Sequence, residues 1–378
     1  KNPLEQQMKV DTLQPKIQGQ YYDSSTMSLK DIDLWVQDLS KQSGSGDWKN
    51  TLTVVEKSLP TIYKDLNSGN FNNTFRTLST VSTSMIPYAG AFISPLLSVL
   101  WPENGQNIKQ MIQEMEEKLG NLMDEKIQDK DLADIQSEIT GMMKNLQEFE
   151  NSLNGNITQY YGQGDVDSLN QDRIVSIQNH FNTLIELARK VHPEDTSKNF
   201  KIAELPLFTV IATAHLNFLH VVEKNGTSPK INFTQAALKD FLQSMIKNQE
   251  DYKNYIANTY NDAEAKINQK IKNEGDKANA ARESIFNSTY GTNFDESAVT
   301  KDIAEVQNKI TYMIAHRPSG HITSEQNKYN AELKKYTNAR DDLKNSLAQY
   351  KLLLAQKNDY YEKTKGNEGF KTALNGKV

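Results

Sequence analysis

Two histidines, His215 and His220, stand five residues apart in an otherwise apolar and uncharged run, and they are the first candidates for chemistry in this 378-residue chain. Five helical residues turn by about 500°, so the two rings face different directions and do not converge on a metal. The chemistry open to them is protonation. A charged imidazole is costly to bury, which assigns His215 and His220 a pH-sensing role, beside the plainer reading of hydrogen-bonded core histidines. Asp165, Asp167 and Asp172 are spaced like a calcium loop, but Asn170 stands where that loop needs Gly and Ser176 where it needs its last carboxylate. The calcium reading is excluded. No His-Glu-x-x-His, Gly-x-x-x-x-Gly-Lys or Gly-x-Ser-x-Gly occurs. With no cysteine, the chain has no thiol nucleophile, disulfide or Cys-ligated metal. No catalytic, cofactor or metal residue is nominated, and the chain is read as no enzyme.

Composition sets the frame for these residues. At 42.9 kDa, 37% hydrophobic and 24% charged, with a mean hydropathy of −0.69, the chain reads as soluble and folded, with room for two domains. Net charge is −5, and residues 231–378 carry 22 Lys and Arg against 19 Asp and Glu, which makes them +3 and the preceding 230 residues −8. Neither part is basic enough to make nucleic acid a partner. Lys1 stands where an initiator Met would, as in a processed or trimmed chain, and no signal peptide opens it.

The elements that must position the histidines are helices. Leu132, Ile135, Ile139, Met142, Leu146, Phe149 and Leu153 recur at alternating intervals of three and four. Ile174, Ile177, Phe181, Leu184, Ala188 and Val191 do the same, with Asp172, Asn179, Asn182 and Glu186 on the opposite side. Shorter helices are expected over 27–41, 48–66, 71–85 and 106–128, and alternating strand patterns are few. Two stretches are apolar on every face: Thr77 to Pro102, and Leu205 to Val222. The second would extend about 27 Å as a helix, close to the roughly 30 Å of a bilayer's hydrocarbon layer. It reads as a buried central helix ringed by amphipathic ones, and a change of state would let it serve in a membrane too.

After residue 231 the chain becomes long polar helix, with proline-free stretches 234–288, 296–315 and 323–364 and a turn at His316 to His321. Nine of the ten prolines and all three tryptophans precede it. Tyr329, Leu333, Tyr336, Leu343, Leu347, Tyr350, Leu354 and Tyr361 fall on heptad positions, as do Val299, Ile303, Val306, Ile310 and Met313. The pattern predicts an antiparallel coiled-coil hairpin folded at Pro318.

Three motifs in order carry a resemblance. Ile86-Pro-Tyr-Ala-Gly90 with Trp101-Pro102, the Leu205-Pro-Leu-Phe208 start with Ala212-Thr-Ala214, and Glu250-Asp-Tyr-Lys-Asn-Tyr-Ile-Ala-Asn-Thr-Tyr-Asn261 resemble the second, central and sixth helices of the insecticidal crystal delta-endotoxins. The match departs from the family at Leu216 and Phe218, where the family places Asn and His, and no seventh-helix Arg-Arg motif follows residue 268. The periodicities and the resemblance together give the expectation of an all-α fold: an N-terminal segment and first helix over 1–47, a pore-forming bundle resembling the family's around the apolar helix over 48–268, and, from the heptads, a coiled-coil-like extension over 269–378. No β domains are expected.

The resemblance further implies a soluble pore-forming toxin, active on invertebrate gut cells, that is secreted or released from parasporal crystal inclusions. Its partners would be the target-cell membrane, a host receptor, further copies of itself and a companion toxin subunit. In that reading Leu205, Leu207, Phe208, Val210, Ile211, Leu216, Phe218, Leu219 and Val221 enter the membrane, while Asn179, Asn182 and Glu186 line the pore. The alternatives are a haemolysin-type α-helical toxin component and a non-toxic coiled-coil interaction protein.

Overall fold

The computed structural model describes residues 129–154, 163–189, 200–291 and 293–375. The expected helices over 27–41, 48–66, 71–85 and 106–128, and the apolar stretch from Thr77 to Pro102, lie outside them. The described residues form α1 (Asp129–Asn154), α2 (Gln163–Ala188), α3 (Phe200–Asn225), α4 (Gln235–Ile285), α5 (Glu296–Ala315), α6 (Thr323–Lys363) and α7 (Glu368–Asn375), and among them no strand occurs. The fold is all-α. The chain divides into two compact units: Lys1–Tyr260 with Tyr360–Val378, and Asn261–Asp359.

In the first unit, α1 and α2 follow from their periodicity. Ile135, Ile139, Met142, Leu146 and Phe149 bury one stripe of α1, and Ile174, Ile177, Phe181, Leu184 and Ala188 bury one stripe of α2. Polar pairs fix an antiparallel register: Asn145 donates to Ser176 at 2.9 Å, Arg173 lies 3.3 Å from Glu148, and His180 lies 2.6 Å from Glu138. Between α3 and α4 the chain reverses through Asn232, whose φ of 58° is a left-handed value that asparagine tolerates. Gln171 of α2 donates to the Ile231 and Asn232 carbonyls at 2.9 and 3.1 Å, so the turn's acceptors are satisfied. Thr234 then starts α4 by accepting from Ala237 N at 3.0 Å, an N-cap.

In the second unit, α5 and α6 pair antiparallel around the turn at His316 to His321. Tyr329 Oη donates to Met313 O at 2.6 Å, Arg340 to Gln307 at 3.1 Å, and Lys351 lies 3.5 Å from Glu296. Asp295 caps α5 by accepting from Ala298 N at 3.2 Å. Ala278 and Ala281 of α4 join Val299, Val306, Ile310, Leu343 and Leu347 in one core, with Ile303, Leu333 and Tyr336 partly buried against it. Phe294 lies beside Gly275 and Arg282 lies 2.5 Å from Asp302, so α5 runs parallel to α4. The heptad pattern holds through Leu354 and then shifts: Tyr361 is exposed, while its neighbour Tyr360 is fully buried. The physical reason is that α6 passes at Tyr360 into the first unit, where a different core sets which face is buried.

Candidate functional site

The site is α3 and what encloses it. Ile202–Asn225 is long and apolar enough to cross a membrane, and every residue of its most apolar eighteen is buried. The described residues of the first unit thus wrap a helix that is hydrophobic on all sides, which packing requires of a bundle's central helix. The nine residues nominated for membrane entry, Leu205, Leu207, Phe208, Val210, Ile211, Leu216, Phe218, Leu219 and Val221, are all among its buried positions. Phe218 sits at a junction of three helices, 5.7 Å from both Phe149 of α1 and Phe181 of α2. Phe208 meets Tyr252 and Tyr255 of α4 at 5.7 and 4.3 Å. Each such ring contributes on the order of 2 kcal/mol by burial alone.

Two threonines inside α3 are satisfied within the helix, and two histidines are partnered from outside it. Thr209 and Thr213 return their hydroxyls to the carbonyls of Leu205 and Thr209 at 2.8 and 2.7 Å. His215 is fully buried, stacked on Phe181 at 4.7 Å, with Nε2 2.7 Å from Gln178 Oε1 and Nδ1 2.6 Å from Tyr252 Oη. An amide oxygen only accepts, so Nε2 carries the proton and Tyr252 donates to Nδ1. That arrangement suits a neutral ring, and burial pushes the imidazole down to about 3. Burial also holds the Tyr252 phenol above its ordinary range, which keeps it a donor. His220 faces elsewhere: its Nε2 donates to Ala373 O of α7 at 2.7 Å, and Nδ1 lies 3.4 Å from Glu223. The two rings do not converge. Among the described residues no group of three His, Asp or Glu could hold a metal ion.

Pro206 introduces a fault that the fold repairs. A proline has no N–H, so the carbonyl four residues earlier, on buried Ile202, loses its helical partner. Tyr360 Oη donates to that carbonyl at 2.6 Å. The remedy arrives from 158 residues away, beyond the reach of local sequence reasoning. The same holds for Tyr252 and Gln178, each 37 residues from His215.

Asn179, Asn182 and Glu186 share an exposed stripe of α2, on the side away from Phe181 and Leu184. Just beyond them Arg189 ties the end of α2 to α4, binding Asp251 through two nitrogens at 3.3 and 2.9 Å and Glu186 at 3.0 Å. Its guanidinium also lies 5.7 Å from the Phe208 ring and 5.6 Å from the Tyr255 ring.

A profile of the delta endotoxin N-terminal domain matches residues 78–302. The pesticidal crystal protein Cry2Ab of Bacillus thuringiensis subsp. kurstaki is 26% identical over 226 residues, 57% of this chain and 33% of that protein. Cry2Aa of the same subspecies is 26% identical over 202 residues, covering 51% and 29%. Cry7Aa of Bacillus thuringiensis is 23% identical over 239 residues, covering 61% and 19%. The chain thus spans a third or less of the length of these relatives. No solved structure matches it.

Proposed function

Because the chain belongs to the family of delta-endotoxin N-terminal domains, we propose that it is a pore-forming toxin whose soluble bundle opens to insert α3, with α2 as its amphipathic partner, into a target-cell membrane. The observation that carries this reading is α3: a helix of spanning length and composition held wholly inside helices that each have one apolar face. Lipid accepts such a helix because its backbone is satisfied internally. A lone apolar helix would insert without conducting. The polar stripe of α2, Asn179, Asn182 and Glu186, gives the hairpin a face for water, so that several copies enclose a channel.

The relatives' names, pesticidal and crystal protein, support an insect target and release from crystal inclusions. A receptor, and copies of the chain assembling in the membrane, are the partners this mechanism calls for. The coiled-coil extension belongs to this reading as an accessory to the bundle.

The test is dye release from liposomes by the purified chain. Release that rises with concentration and leaves membrane-bound oligomers is the expected result; a chain that binds vesicles yet never releases dye removes the pore reading. The lining is tested separately. The absence of native cysteine makes single-cysteine variants clean. Asn182→Cys and Glu186→Cys in an open pore should react with a charged thiol reagent added in water, changing conductance by about twofold or more. A Val175→Cys control on the same exposed stripe should respond alike, whereas Leu184→Cys, on the buried side, should not. Equal responses from Asn182→Cys and Leu184→Cys would place the water path elsewhere.

A further inference from the structure

The last turn of α6 and the segment that follows it bond to both ends of the central helix. Tyr360 supplies the Ile202 carbonyl near the start of α3, and Ala373 O receives His220 near its end. Gln249 of α4 donates to the next carbonyl, Leu374 O, at 3.2 Å. Ile202 and His220 are about 27 Å apart along a helix axis. The segment therefore runs parallel to α3 over most of its length.

Its local structure holds it in that path. Tyr360 is fully buried and stacks on Tyr260 at 6.0 Å. Thr364 Oγ1 returns to Tyr360 O at 2.7 Å, and Asn367 caps α7 by accepting from Phe370 N at 2.8 Å. Gly366 permits the turn between them, because a Cβ there would collide with the Tyr361 ring. Beyond the turn, Phe370 and Ala373 bury the inner face of α7. The contrast with α1 and α2 is one of size. Those 26-residue helices each bury a full apolar stripe, Ile135 to Phe149 and Ile174 to Ala188, whereas the buried apolar side chains described for residues 360–375 are Tyr360, Phe370 and Ala373. Of the described pieces enclosing α3, this one has the least apolar surface to give up on leaving.

We propose that residues 360–375 are an autoinhibitory latch: while they lie along α3 the helix stays enclosed, and their displacement is the step that frees it. The latch governs the insertion proposed above and rests on that reading. Displacing it leaves the Ile202 carbonyl without a partner and removes the bond at His220, so both ends of α3 loosen together. The remaining helices keep their own seams.

The experiment compares the full chain with the double variant Tyr360→Phe, Phe370→Ala, by hydrogen exchange in solution and by dye release. Amides of residues 202–225 should exchange at least about tenfold faster in the variant, while those of residues 130–149 change by less than about threefold. Dye release should be about tenfold faster. Unchanged exchange in α3, or equal acceleration in α1 and α3, overturns the latch, since the second is general loosening. Selective exchange with parent-like release also overturns it as the controlling step. Selective exchange with parent and variant both silent on vesicles supports the enclosure of α3 by the latch and instead removes the pore reading. If the double variant does not fold, Tyr360→Phe, which deletes one hydroxyl, is held to the same selectivity between α3 and α1.

Discussion

Phe218→Ala and Ile211→Asp should both melt early and yet move dye release in opposite directions. Phe218 touches Phe149 and Phe181, so truncating it opens a cavity where α1, α2 and α3 meet, at a cost of about 3–5 kcal/mol. Ile211 is just as deeply buried, and a carboxylate there costs on the order of 4 kcal/mol in the closed bundle. In lipid the two differ. Alanine at 218 keeps α3 apolar, whereas an aspartate in mid-helix adds about 2.5–3.5 kcal/mol to insertion, enough to lower the inserted population about 100-fold. Phe218→Ala therefore opens more readily and should release dye several-fold faster than the parent. Ile211→Asp should open readily too and release at least about tenfold more slowly. The comparison is made on protein whose helical circular dichroism is intact, with Ile211→Asn as the milder substitute. If Ile211→Asp matches Phe218→Ala in release, α3 is not the element that enters the membrane.

This pair separates two properties that one helix combines. The periods of α1 and α2 and the uncharged run of α3 were legible because each is repeated over enough residues for the pattern to exceed local noise: Ile135 to Phe149, Ile174 to Ala188 and Leu205 to Val222 all lie within the observed helices. The same legibility placed Asn179, Asn182 and Glu186 on one face of α2, since a helical stripe needs only the period. What the sequence could not convey was whatever depends on a partner far along the chain. Tyr360 and Tyr361 are equivalent by type, and the heptad favours Tyr361; only the change of core at residue 360 makes the other tyrosine the buried one. The eight residues of α7 span little more than two turns, too few to show a period. Pro206 signals a vacant carbonyl, but nothing local says which donor will fill it. His215 stood out as an ionisable group in an apolar helix, but the neutral donor and acceptor that settle its state lie on two other helices.

Acid should weaken the soluble bundle through His215 in particular. Its folded value, about 3, lies below the ordinary 6.5, so between these values the unfolded chain holds a proton that the folded one does not. The stabilisation is therefore complete above about pH 6.5 and is lost as pH falls toward 3. From about pH 7 to pH 5 the loss amounts to about 2 kcal/mol. The groups facing the ring offer no compensation: Gln178 from α2 and Tyr252 from α4 are neutral, and Tyr252 stays protonated because burial raises it. The charges that act on Tyr252 are Arg189, Asp251 and Glu186, and Arg189 binds both carboxylates. His180 beside Glu138, and His220 beside Glu223, are present in parent and variant alike, so their effects cancel in a comparison. Denaturation midpoints at about pH 7, 6 and 5 for the parent and His215→Gln supply the measurement. Glutamine keeps hydrogen-bonding capacity and cannot titrate, so the variant starts less stable but should fall less steeply, by about 2 kcal/mol over the interval. Parallel slopes would show that His215 does not set the pH dependence of the bundle.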